Sequence, residues 1–107
     1  PVEFSERHSD RVAHVHMKDV NAKQAEKVRS GQITYYEGVC NSLYMPLGQG
    51  DIDMKQIVIN LVVKAGYDGW FVLEQDLTIQ SEPAPGTGPI ESARQSVAFL
   101  RAIEAEL

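Results

Sequence analysis

The chain has only one cysteine, Cys40, among its 107 residues, so it cannot form an internal disulfide. A protein without disulfides is typical of a reducing compartment, and we expect a cytoplasmic location. Cys40 has two interpretations, a small buried hydrophobic residue or a nucleophile. The first is favoured because free cysteines are commonly buried.

Long apolar runs and clusters of basic residues are also missing. The longest apolar stretches, residues 57–59 and 61–63, are far too short to span a bilayer, and no segment resembles a signal peptide. The 10 Lys and Arg residues are never adjacent, and the net charge is −5. A nucleic-acid or anionic membrane surface needs clustered positive charge, so both partners are disfavoured.

The composition fits one small globular domain over residues 1–107. Hydrophobic residues make up 43% of the chain and charged residues 23%, which argues against disorder. The chain begins at Pro1, in a segment that resembles the end of a helix. We therefore expect a fragment, or a processed product, of a longer protein.

The order of predicted elements is that of an α/β fold with parallel strands. Strands are predicted over residues 11–17 and 70–75, helices over 22–30, 53–66 and 89–106, and loops over 32–50 and 77–89. Asn21 and Asp53 can cap their helices, the latter with Gln56 as capping-box partner, and Gly31 and Gly66 can end them. Pro89 suits the first position of the last helix, whose apolar face comprises Ile90, Ala93, Val97, Leu100, Ile103 and Leu107.

The first strand carries unusual polar residues on one face. Alternation along a strand places Ala13, Val15 and Met17 on one side, and Val12, His14, His16 and Lys18 on the other. In a parallel barrel the first set would meet the outer helices and the second would point inward. Histidine binds transition metals and shuttles protons, so this face predicts a functional site. His16 lies nearer the C-terminal end of the strand and is the better metal ligand, whereas His14 can contact substrate or pack.

The second strand ends in Glu74, Gln75 and Asp76 after an apolar run. Burying a lone carboxylate is costly, so Glu74 needs either a metal ion or a salt bridge to Lys18. Gln75 and Asp76 can contact substrate hydroxyls or cap the following loop. Asp19 has two similar interpretations, a substrate-binding or proton-transfer role and a loop cap.

Two other motifs favour structural interpretations. Gly48-Gln49-Gly50 is not a dinucleotide fingerprint, because Asp53 stands where the third glycine would be and no strand precedes it. The three tyrosines at positions 35, 36 and 44 can line a sugar-binding loop, but packing roles are more common.

Four segments together resemble the C-terminal third of the sugar phosphate isomerase/epimerase family, which has the xylose isomerase-like TIM barrel. They are residues 11–20 (RVAHVHMKDV), 44–53 (YMPLGQGDID), 66–70 (GYDGW) and 72–76 (VLEQD). Within that family the inosose dehydratases are most similar, since they share the H-x-H-x-K-D strand end, the P-x-G-x-G turn and the E-Q-D strand end. The resemblance implies the last two βα units of a (β/α)8 barrel.

The resemblance also implies a divalent metal ion (Mn, Co, Mg or Zn). His16 would be its ligand after the seventh strand and Glu74 its ligand after the eighth. The family takes two further carboxylate ligands from its fifth and sixth strands, which this chain lacks. Ala22 stands where ketose 3-epimerases of the family place an arginine, six residues after the histidine, and this disfavours the epimerase branch.

We therefore expect part of a metal-dependent sugar or cyclitol isomerase, epimerase or dehydratase that abstracts a proton next to a carbonyl. Lys18 and Asp19 are the candidates for catalysis, and His14, Gln75 and Asp76 for substrate binding. One alternative is a metal phosphodiesterase of the endonuclease IV type, which the acidic balance disfavours. Another is a non-catalytic module: two strands cannot close a barrel, so a homo-oligomer, or association with the missing part of the barrel, is expected.

Overall fold

The computed structural model describes all residues, 1–107. None of its helices is both long and apolar enough to cross a bilayer. The elements, in chain order, are α1 (Val2–His8), a 3₁₀ turn (Ser9–Arg11), β1 (Val15–Met17), β2 (Asp19–Val20), α2 (Ala22–Arg29), α3 (Tyr35–Cys40), β3 (Tyr44–Met45), α4 (Met54–Ile59), a π-helical turn (Asn60–Lys64), β4 (Phe71–Leu73) and α5 (Pro89–Glu104).

Strands β1 and β4 form a parallel pair, which confirms the predicted parallel arrangement. Val15 pairs with Phe71 and Met17 with Leu73. The predicted bounds, 11–17 and 70–75, are too long. Each strand has only one neighbour, and the residues before Val15 have no strand beside them.

The predicted alternation along β1 is confirmed where the strand is paired. Val15 and Met17 are buried, whereas His16 between them is exposed. Ala13 is exposed, because it lies before the paired segment. The two buried side chains belong to a core that also contains Leu47, Met54, Val58, Leu61 and Ile103. The helical segment 54–64 and α5 therefore cover the apolar face of the strand pair.

The prediction of an irregular connection over residues 32–50 is wrong. Thr34 and Glu37 form a capping box that begins α3, and the buried Gly38 lets this helix approach Val28 of α2. The chain then returns as β3, which pairs antiparallel with β2, so that Tyr44 lies opposite Val20. The connection is thus an ordered part of the chain, with its own helix and strand, beside the C-terminal end of β1.

The predicted helix after Asp53 is present, with one difference in its cap and one in its geometry. Asp53 accepts a hydrogen bond from the Gln56 amide, as expected of a cap. The side chain of Gln56 does not complete a capping box, because it donates to Asn60 instead. At Asn60 the helix widens into the π-helical turn, which places the Asn60 amide against Ser5 of α1 at 3.0 Å. Gly66 ends it at a positive φ, as predicted.

Two predictions of burial are wrong. Cys40 is exposed, because the short α3 buries Gly38 rather than its C-terminal end. Helix α5 begins at Pro89 as predicted, but Ser96 and Ile103 are its buried residues. Its predicted apolar residues Ile90, Val97 and Leu107 are exposed, since no further element lies against them.

Candidate functional site

The predicted site forms where β1 and β4 end side by side. The Glu74 amide donates to the carbonyl of Met17 at 3.2 Å, which carries the pairing one residue beyond β4. This register brings Glu74 beside His16, with Oε2 of the carboxylate 3.3 Å from Nδ1 of the imidazole. Both side chains remain accessible, with 39% of the Glu74 side chain and 55% of the His16 side chain exposed. The two predicted metal ligands therefore lie together.

Lys18 lies at the centre of the site. Its Nζ is 2.6 Å from Oε1 of Glu74 and 2.6 Å from Oδ2 of Asp76. Desolvation works against the ammonium, but the hydrogen bonds and charges of Asp76 and Glu74 outweigh it and raise the pKa of Lys18. Lys18 is therefore protonated at neutral pH. The salt bridge to Lys18, one of the two alternatives for Glu74, is present and is shared with Asp76.

Glu74 is held in its ionised form. The hydrogen bond from Lys18, followed by the contact with His16, lowers the pKa of its carboxyl below the ordinary value. Its two oxygens have different neighbours, with the Lys18 ammonium on one and the His16 imidazole on the other. The Glu74 carboxylate, which follows β4, thus contacts two side chains at the C-terminal end of β1.

Asp19 lies next to Lys18 in sequence but faces a different environment. Its side chain is fully buried. Oδ1 accepts hydrogen bonds from two backbone amides and Oδ2 from two more, at distances of 2.8–3.2 Å; the donors are Val20, Ile52, Gly48 and Gly50. This is the loop-cap geometry, and neither oxygen forms an ion pair with the Lys18 ammonium. The same contact explains why position 50 is a glycine, because a Cβ there would lie 2.2 Å from Oδ1 of Asp19.

The two other residues predicted to bind substrate, His14 and Gln75, make no side-chain hydrogen bonds. The imidazole of His14 is exposed and lies 5.2 Å from that of His16, edge to face, so it borders the site. Gln75 is half-buried and its side chain makes no hydrogen bond. Neither residue forms a hydrogen bond or ion pair with Lys18.

Tyr35 and Tyr44, for which a sugar-binding loop was the alternative to the favoured packing role, lie beside the Lys18 cluster. The Tyr44 ring lies under the Lys18 ammonium, with Nζ 4.6 Å from the ring centroid. Its hydroxyl is 3.1 Å from that of Tyr35. This hydrogen bond, followed by burial, raises the pKa of Tyr44, so its ring stays uncharged at neutral pH. The β2–β3 pairing that places Tyr44 there is too short to be predicted from alternation.

The donor set fits part of a metal site. An imidazole nitrogen and a carboxylate oxygen are common ligands of divalent transition metals. Within residues 1–107, no group of three or more His, Cys, Asp or Glu side chains is placed to hold a metal ion. The residues that would hold an ion are His16 and Glu74, and a complete coordination shell would need donors from elsewhere.

The sequence profile described as xylose isomerase-like TIM barrel matches residues 1–103. The chain belongs to this family. Its two parallel strands and covering helices are part of such a barrel and not a closed one. The polar cluster lies at the C-terminal ends of the strands, where TIM barrels carry their active sites.

Curated relatives in the family bear enzyme names. The chain is 32% identical to an inosose dehydratase of Lacticaseibacillus casei over 102 residues, which are 95% of this chain and 32% of that protein. It is 35% identical to an inosose dehydratase of Geobacillus thermodenitrificans over 95 residues, 89% of this chain and 30% of that protein. It is 36% identical to the rhizopine catabolism protein MocC of Rhizobium meliloti over 76 residues, 71% of this chain and 23% of that protein. The chain spans about a third of the length of the first two relatives.

Proposed function

We propose that this chain carries one side of the active site of a divalent-metal-dependent dehydratase that acts on a cyclitol ketone such as an inosose. The observation that carries the proposal is the convergence of His16, Lys18, Glu74 and Asp76 at the C-terminal ends of two parallel strands. The family membership and the names of the relatives support a sugar- or cyclitol-processing reaction. Isomerisation or epimerisation would begin with the same step, proton abstraction next to the carbonyl.

Lys18 supplies a fixed positive charge in this proposal. Because Nζ donates to the carboxylates of Glu74 and Asp76, Lys18 acts in this proposal as a hydrogen-bond donor. In this proposal a base from the rest of the barrel takes the proton next to the carbonyl, and the Lys18 ammonium stabilises the negative charge that builds on the substrate oxygen. Collapse of that charge then expels the neighbouring hydroxyl group, which takes up a proton and leaves as water. Asp76 and Glu74 hold the ammonium in place, and the exposed His14 and the half-buried Gln75 are proposed to meet substrate hydroxyls.

His16 and Glu74 are proposed to hold the metal ion (Mn, Co, Mg or Zn). A bound ion would supply Lewis-acid polarisation of the substrate carbonyl. Asp19 is left with its positioning role. Its carboxylate fixes the turn at residues 48–50 against β2, and this turn leads from β3 to α4.

The test is turnover of an inosose by the protein that contains this chain, compared with its His16→Ala and Glu74→Ala variants. Each variant removes one proposed metal ligand and should lower kcat by at least about 100-fold. His8→Ala and Glu82→Gln are matched controls outside the site and should leave kcat unchanged. Full turnover by both site variants would contradict the proposal.

We also propose that the chain associates, either with a second copy or with the remaining part of a barrel. Trp70 is 80% exposed beside a groove of about 640 Å³ between the 54–64 helical segment, β4 and α5. An apolar surface of this kind is typical of an interaction site. Light scattering of the purified chain and of Trp70→Ser tests this proposal. A monomeric chain at all concentrations, with no affinity for the remaining barrel, would contradict it.

A further inference from the structure

The Lys18 ammonium is enclosed by groups from two separate parts of the chain. Glu74 and Asp76, which follow β4, approach it through their carboxylates. Tyr44, on β3, lies on it with the face of its ring, 4.6 Å from centroid to Nζ. Only 24% of the Lys18 side chain is exposed. The Tyr44 ring is thus the third group, after the two carboxylates, that packs around the Lys18 ammonium.

The carboxylates alone do not fix the direction of the ammonium. A lysine side chain has a flexible four-carbon stem and a compact charge that can donate in several directions. Glu74 and Asp76 each accept one hydrogen bond from Nζ at the same time, which leaves the third N–H donor and the flexible stem without a carboxylate partner. An aromatic face attracts a cation through its quadrupole and restricts the orientation of the ammonium further.

The Tyr44 ring is held in place by contacts that do not involve Lys18. Its strand, β3, pairs with β2, and the Asn21 amide donates to the carbonyl of Leu43 at 2.9 Å just before it. Its hydroxyl bonds to that of Tyr35 at 3.1 Å. Tyr35 is the first residue of α3, which the Thr34–Glu37 capping box stabilises. These contacts therefore fix the position of the Tyr44 ring independently of Lys18.

We propose that Tyr44 is a positioning residue that fixes the Lys18 ammonium, and that Tyr35 steadies the Tyr44 ring through its hydroxyl group. The catalytic consequence rests on the proposed function, because it assumes that Lys18 stabilises charge on the substrate. The positioning itself stands on the contacts among these three residues and is measurable without turnover.

The kinetic test compares Tyr44→Leu, Tyr44→Phe and Tyr35→Phe in the protein that contains this chain. Tyr44→Leu removes the ring and should lower kcat about three- to tenfold, the scale of a cation–π contact. Tyr44→Phe keeps the ring and should retain most of kcat. Tyr35→Phe breaks the same hydroxyl–hydroxyl bond from the other side, so its kcat should match that of Tyr44→Phe. Tyr36→Leu is the control, since Tyr36 is 70% exposed and does not touch Lys18.

A second measurement separates the positioning from the proposed function. The NMR signals of the Lys18 ε-methylene protons should show the ring-current shift of a neighbouring aromatic face, and the side chain should be ordered. Tyr44→Leu should abolish the shift and increase Lys18 mobility, whereas Tyr44→Phe and Tyr36→Leu should preserve both. If no preparation turns over an inosose, the proposed function fails and this NMR comparison alone decides the positioning. Unchanged Lys18 signals in Tyr44→Leu, or an active Tyr44→Leu enzyme with wild-type kcat, would overturn the inference.

Discussion

Nζ of Lys18 and Oε1 of Glu74 lie 2.6 Å apart, although 56 residues separate them in the sequence. The parallel register of β1 and β4 makes this contact, because each residue lies just beyond the C-terminal end of its strand. The ion pair joins the two predicted halves of the site. It also gives both groups a defined charge at neutral pH, a cation on Lys18 and an anion on Glu74.

Lys18→Met should remove most activity from the protein that contains this chain. The variant loses the ammonium and leaves Glu74 and Asp76 as neighbouring negative charges without their shared partner. Loss of one preorganised donor typically lowers kcat by about 100- to 1,000-fold. Lys23→Met, an exposed substitution in the first turn of α2, is the control for loss of a lysine charge. Wild-type kcat in Lys18→Met would exclude the proposed role of the ammonium.

Asp19→Asn should destabilise the fold. An asparagine side chain has one amide group in place of a carboxylate oxygen, so whichever way it turns, two of the four backbone amides lose their acceptor. Leaving buried donors unpaired, and losing the charge, should lower the free energy of unfolding by about 2–4 kcal/mol. Urea unfolding monitored by circular dichroism measures this. Asp10→Asn, at an exposed aspartate, should change the free energy by less than about 0.5 kcal/mol. An equally small change in Asp19→Asn would contradict the loop-cap role.

Stability should depend on the charge of Glu37. Hydrogen bonds from the Thr34 backbone amide, and then from its hydroxyl, lower the pKa of Glu37 below its ordinary value of 4.5. Because the folded pKa is depressed, this contribution is present above pH 4.5 and is lost as the pH falls through the folded pKa. Glu37→Gln should abolish that pH-dependent part. The measurement is the difference in urea midpoint between wild type and variant from pH 7 to pH 3, with Glu82→Gln as the control. A difference that does not change with pH would contradict the capping-box account.

Local chemistry in the sequence was enough to predict the helix ends and the face of β1. Asn21, Asp53 and Pro89 act at helix starts through their own side chains or ring, so their roles need no distant partner. The alternation of His16 with Val15 and Met17 is also local. Lys18, Glu74 and Asp76 then meet because parallel strands align their C-terminal ends.

The predictions that were wrong concern features that depend on residues far away in the sequence. The buried side of α5 depends on which elements cover it, so an apolar periodicity predicted Ile90 and Val97 as core residues that remain exposed. Strand length depends on the partner strand. Helix α3 begins at a T-x-x-E capping pattern at Thr34, but the helix is short and contains Gly38, a residue that disfavours helix. Tyr44 reaches Lys18 only through the two-residue β2–β3 pairing.

Binding of Mn²⁺ tests the central claim most directly. Titration calorimetry of the protein that contains this chain should show one binding event that His16→Ala and Glu74→Ala each weaken by at least about tenfold, because each removes a ligand. His8→Ala should bind as the wild type does, since His8 lies on α1 and its ring packs against Phe4 and not against His16 or Glu74. The same Kd in all four proteins would contradict the assignment of His16 and Glu74 as metal ligands.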